Sequence, residues 1–90
     1  MVLSINRESE PRRDSHHCVV QFEVIFKDEP HTCEISFEAL DDLNKSNSHS
    51  DKDRIAMFWR HIETIEKVAQ QKIPNLIEQG EQALLRTQDF

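Results

Sequence analysis

Two runs of alternating apolar residues dominate the first half of the chain. Cys18 to Phe26 reads CVVQFEVIF, rich in β-branched and aromatic side chains, and after Lys27-Asp28-Glu29-Pro30 the pattern resumes at His31 as HTCEISF. Such runs on either side of a short polar break predict a β-hairpin over residues 18–37. A turn centred on Asp28-Glu29 sets Lys27 against Pro30, Phe26 against His31, Val24 against Cys33 and Phe22 against Ile35. Cross-strand partners share a face, so Val20, Phe22, Val24 and Phe26 join Cys33, Ile35 and Phe37 on one side. Gln21, Glu23, Lys27, Thr32 and Glu34 fall on the other, which only Val19 and Ile25 interrupt. The expected sheet therefore has one face against helices and one toward water or a partner.

After the hairpin the period changes from two to between three and four. Ser36 can cap a short helix over residues 37–44, in which Ala39, Leu40 and Leu43 lie one turn apart. Lys45 to Ser50 is a loop by composition, and Ser50 with Asp53 makes an Asp variant of the capping box, starting a second helix. From there Ile55, Phe58, Ile62, Ile65, Ala69, Ile73 and Leu76 form one apolar stripe, predicting a long helix over residues 51–79 with a kink at Pro74. Gly80, the single glycine in the chain, stands where a left-handed helix cap belongs, and residues 83–87 read as a last short strand that joins the sheet. Val2 to Ile5 can add an N-terminal edge strand. Residues 6–17 have no apolar residue except Pro11 and are expected to be an irregular surface segment. The fold class is α+β: a small antiparallel sheet packed on one long kinked helix and one short one.

Composition narrows the class. Ninety residues make one domain, with 37% hydrophobic and 31% charged residues placing the chain among globular proteins rather than disordered ones. A formal net charge of −6 opposes binding to phosphate backbones and anionic lipid. The first residues lack the apolar core of a signal peptide, and no stretch approaches the roughly 20 apolar residues that span a bilayer. A cytoplasmic location follows by exclusion, and with it reduced thiols at Cys18 and Cys33.

Several of these residues together carry a resemblance. Val24-Ile25-Phe26 followed by Cys33-Glu34-Ile35-Ser36-Phe37-Glu38-Ala39-Leu40 resembles the strand, turn and C-x-I-S-x-E-A-L passage of a family of short bacterial proteins catalogued as domain of unknown function 1488. Phe58, His61, Ile65-Glu66, Ala69 and Lys72 resemble that family's F-x-x-H-R-x-x-I-E-x-x-A-x-x-K helix, and Asp89-Phe90 its closing D-F. The hairpin turn lacks the glycine usual in the family, and Ile62 replaces the arginine expected after the histidine. The resemblance implies a small α+β fold and brings no activity, cofactor or catalytic residue.

Candidate chemistry is sparse. His16, His17, Cys18, His31 and Cys33 are zinc-type ligands, but the expected register puts the two sulfurs roughly 20 Å apart along the strands, too far for one tetrahedral site or a disulfide. Cys33 beside His31 lacks the third residue and cleft that nucleophilic catalysis needs, and reads as core. No catalytic residue, metal ligand or cofactor site is therefore assigned, and no enzyme is expected. Trp59 beside Phe58 widens the apolar stripe beyond a small core's needs, so Trp59, Phe58 and His61, with Val19 and Ile25 on the open sheet face, form the candidate interaction surface. The expected role is a noncatalytic protein-interaction or regulatory module that self-associates as a homodimer or meets a protein partner, with no membrane contact. The alternatives are a nucleic-acid-linked transcriptional regulator using Arg7, Arg12 and Arg13, which the net acidity disfavours, and a small-ligand-binding domain.

Overall fold

The structure is a computed structural model and describes residues 3–45 and 51–90. Its elements run β1 (Ser4–Ile5), β2 (Arg12–Asp14), β3 (Val19–Phe26), β4 (Glu29–Ser36), α1 (Phe37–Asn44), α2 (Asp51–Arg60), α3 (Ile62–Glu78) and β5 (Leu84–Leu85), then a 3-10 turn over Thr87–Asp89. The sheet is mixed. β3 and β4 form the antiparallel centre, β5 lies parallel to β4, and β1 and β2 divide the other edge of β3 between them.

The hairpin turn is Lys27-Asp28, both with positive φ (54° and 62°), the geometry of a two-residue type I′ turn. Phe26 faces Glu29, Val24 faces His31, Phe22 faces Cys33 and Val20 faces Ile35. The ladder is thus displaced by two residues from the expected register. Proline accounts for the displacement: the pair closing a two-residue hairpin exchanges hydrogen bonds through both amides, and Pro30 has none to give. Glu29 closes the turn instead, and Pro30 takes the neighbouring position opposite Ile25, with its missing N–H directed at the free edge of β4. A displacement of two keeps every side chain on its face, so the inner face is as expected: Val20, Phe22, Val24, Phe26, Cys33, Ile35 and Phe37 are all buried.

Segment 6–17, expected to be irregular, contributes β2, in which Arg12, Arg13 and Asp14 pair with Gln21, Val20 and Val19. Three polar residues with no apolar alternation give no strand signal of their own; the pairing edge of β3 supplies it. The expected N-terminal strand is present as β1, and α3 seals its outer edge. Glu66 accepts the Ile5 amide at 2.9 Å and Gln70 donates to the Leu3 carbonyl at 2.9 Å. Arg7 adds a fork to the two Glu66 carboxylate oxygens at 3.2 and 3.3 Å. Backbone groups that a neighbouring strand would otherwise use are thereby satisfied by side chains.

Ser36 caps α1, its hydroxyl accepting the Ala39 amide at 3.1 Å, and the helix ends at Asn44 as expected. The Ser50 cap lies outside the described residues. The long helix does not run unbroken to a kink at Pro74: it is two helices meeting at His61 (φ −108°, ψ 19°), and Pro74 sits inside α3, which continues to Glu78. The break coincides with a side chain from another element. Asn44 Oδ1 accepts both Arg60 Nη1 at 3.3 Å and His61 Nε2 at 3.1 Å. Bonds from His61 N to Met57 O and from Ile65 N to His61 O bracket the break, so the chain bends there without opening. The apolar stripe carries across it, with Phe58, Ile65, Ala69 and Ile73 in one core with the inner sheet face.

At its far end α3 closes with Gly80 at φ +72°, as expected. Glu81 N bonds to Leu76 O and Gly80 N to Ile77 O, the pair of bonds that defines a Schellman cap. The chain then enters β5, whose Leu85 is buried beside Ile35. Among the described residues no helix is long and apolar enough to cross a membrane.

Candidate functional site

The five residues of the expected interaction surface do not form one surface. Phe58 is 1% exposed, its ring tilted against Phe22 at 5.1 Å between centroids, and Val19 is 5% exposed between Asp14 of β2 and Ser36 of β4. Both are withdrawn into the fold: Phe58 is one of the residues through which α2 packs into the core, and Val19 is flanked by β2 and β4. Ile25 is half-buried on the outer sheet face between Ser4 and Pro30. His61 is half-buried and held by Asn44.

Trp59 remains. It is 37% exposed, and its indole stands edge-on to the Phe58 ring (centroids 5.7 Å, planes at 80°). Burial of Phe58 thus fixes the floor on which Trp59 rests, an arrangement that holds a large aromatic in place without covering it. Helical spacing puts Ile55 and Ala56 four and three residues before Trp59, and therefore on its side of α2, and Ile62 opens α3 just past the bend. Ile55 and Ile62 are only partly buried against the core and Ala56 is exposed. The result is a short apolar stripe on the helical layer, flanked by exposed Arg60 and Glu63.

The outer face of the sheet has a different character. Gln21 and Gln82 both donate to the Glu34 carboxylate, and Asn6 donates to Glu23. These carboxylates are held by amides rather than paired with cations, which leaves the face acidic and hydrogen-bonded. At the β2–β3 turn, His17 Nδ1 lies 2.7 Å from Asp14 Oδ2. That bond is the main cause of an Asp14 carboxyl held below its ordinary value.

The two cysteines have opposite surroundings. Cys18 is exposed, while Cys33 is fully buried opposite Phe22, four residues along β3 from Cys18 rather than the six expected. Burial, with a smaller contribution from the Glu34 charge, pushes the Cys33 thiol up to about 12. A neutral thiol in the core is a small hydrophobe, as expected.

Most residues that carry the family resemblance serve the scaffold. Cys33, Ile35, Ala39, Leu40, Phe58, Ile65 and Ala69 are buried in the core. Ser36 caps α1, His61 meets Asn44, Glu66 seals β1, and Asp89 accepts the Arg86 amide at 2.8 Å. The clamp made by Glu66 was invisible along the chain, because its partners lie 59 to 61 residues away. The same holds for Arg54, which pairs with Asp41 at 3.1 Å and lies 4.3 Å from the centre of the Phe37 ring.

These features define a small α+β protein built on a mixed sheet with helices on one face and an open acidic face on the other. The pattern of the family described as protein of unknown function (DUF1488) matches residues 7–84, and the chain belongs to that family. A solved structure of a protein of unknown function from the DUF1488 family of Shewanella loihica PV-4 is similar in fold. Its TM-score is 0.64 at 14% identity, over 94% of this chain and 90% of that one. No curated protein matches.

Proposed function

We propose that this protein is a noncatalytic interaction module that self-associates through the helical stripe centred on Trp59. The observation that carries this reading is the exposed indole braced on a buried phenylalanine. Interface hot spots are enriched in tryptophan and arginine, and a side chain already held in place loses little freedom on binding. A core this small leaves apolar surface that a second copy can cover. In a two-fold antiparallel pairing of α2 on α2, the stripe meets itself. The acidic sheet face repels its own copy, which favours the helical layer for the contact.

The noncatalytic part of the reading is supported by the state of the nucleophile. Cys33 is buried as a neutral thiol, and the family-resembling residues are largely occupied in packing, capping and edge sealing.

Sedimentation velocity over a concentration series tests the proposal. The expected result is a dimer with Kd on the order of micromolar, weakened at least about tenfold by Trp59→Ala with the circular dichroism spectrum unchanged. A protein that stays monomeric at high concentration would sink it. So would a dimer indifferent to Trp59→Ala.

A further inference from the structure

Among the residues that carry the family resemblance, Lys72 is not used by the scaffold. It lies on the exposed side of α3 at one wall of a groove of about 540 Å³ between that helix and the C-terminal segment. The opposite wall includes Arg86, just after β5. Among the described residues neither head group meets a carboxylate in an ion pair, whereas Arg7, Lys27 and Arg54 each do. Leu76 and Leu84, both half-buried, supply apolar lining, and Asn75 an amide. Two cations without an ion pair thus share one groove with apolar lining, in a chain of net charge −6.

From this placement we propose that the groove binds a small organic carboxylate: one anionic head between Lys72 and Arg86, and an apolar body on Leu76 and Leu84. The size lies within the range of small-molecule sites, and the guanidinium fork of Arg86 matches a carboxylate's two oxygens. Two acidic residues in the same lining decide the charge of the ligand. Glu81 is exposed, and Asp89 keeps its carboxylate on the Arg86 backbone amide. Together they offset the two cations, so a monoanion is accepted and a dianionic phosphate is opposed. This inference is independent of self-association, because the groove is formed by α3 and the C-terminal segment and does not include Trp59.

Amide chemical-shift mapping with 3-phenylpropionate as the probe tests it, with 3-phenylpropanol and phenyl phosphate as comparisons. The expected result is a set of shifts confined to residues 72–76 and 81–89 with Kd on the order of 1 mM. Binding should weaken roughly tenfold in Lys72→Gln and in Arg86→Gln, whose spectra elsewhere report an intact fold. Absence of shifts would overturn the proposal, as would equal binding of the alcohol. Insensitivity to both variants together, or tighter binding of phenyl phosphate, would overturn it too.

Discussion

The hairpin β3–β4 and the helical pair α2–α3 meet where Phe22 touches Phe58, yet they hold their shapes by different means. β3 is paired along its whole length with β4, and on its other side with β1, Asn6 and β2. Its shape is written in the backbone ladder. The helical pair takes its shape from side chains of remote segments: Asn44 at the bend, and the inner sheet face beneath the stripe. A ladder is set by neighbours in the chain, whereas a bend imposed from another element depends on contacts that exist only after folding. The two regions should therefore fail differently.

The severest way to break the pairing of the two regions is Phe58→Ala. Truncating a fully buried phenylalanine costs about 3–5 kcal/mol, a large share of the stability of so small a domain. Urea unfolding is expected to show that loss, and amide exchange should rise in α2 and α3 before it rises in the β3–β4 ladder. Loss below about 1 kcal/mol would mean that the two layers do not depend on this contact.

A smaller effect isolates the hairpin's inner face. The Cys33 thiol ionises near 12 in the fold against an ordinary 9.0, because burial disfavours the thiolate. The unfolded thiol therefore loses its proton first, and between those values the folded protein holds one more proton. Stability is retained below pH 9.0 and falls as pH rises toward 12, with a slope approaching about 1.4 kcal/mol per pH unit. Cys33→Ala is expected to lower stability at neutral pH through the lost packing, yet to flatten the alkaline fall. Parallel alkaline slopes in urea titrations of the two proteins would show that Cys33 is not the group responsible.

How much of this could be read along the chain follows the same division. Both faces of the hairpin were legible because alternation survives any displacement by two residues, and the Ser36 cap and Gly80 were legible because each acts within a few residues of itself. The register differs by those two residues because it turns on a single backbone N–H, absent at Pro30, which the alternation of side chains does not carry. The stripe from Ile55 to Leu76 announced the helical layer, but the bend at His61 depends on Asn44, 17 residues earlier. β2 has no pattern of its own and exists because β3 offers an edge. Of the candidate surface, Trp59 was legible as surplus apolar area; Phe58 and Val19 were misplaced because burial depends on what packs against a residue. The groove walls, separated by the turn at Gly80, had no signal in spacing at all.

The smallest expected effects compare one backbone conformation in the two regions. Lys27 and Asp28 hold positive φ in the hairpin turn with side chains that disfavour it, and Gly80 holds φ +72° at the end of α3 with none. The left-handed conformation costs a side-chain-bearing residue about 1 kcal/mol relative to glycine, with aspartate among the more tolerant residues. Asp28→Gly should therefore stabilise the protein by about 0.5 kcal/mol, since part of the relief is offset by the greater freedom of glycine in the unfolded chain. Gly80→Ala should cost about 1 kcal/mol. An added Cβ at Gly80 would meet nothing within 4 Å, so that cost is the backbone's alone. Opposite shifts in the urea midpoint would show that one term acts at both ends of the molecule. A destabilising Asp28→Gly would instead assign the aspartate side chain an active part in the turn, and would separate the hairpin from the helix cap in the one respect where they are expected to agree.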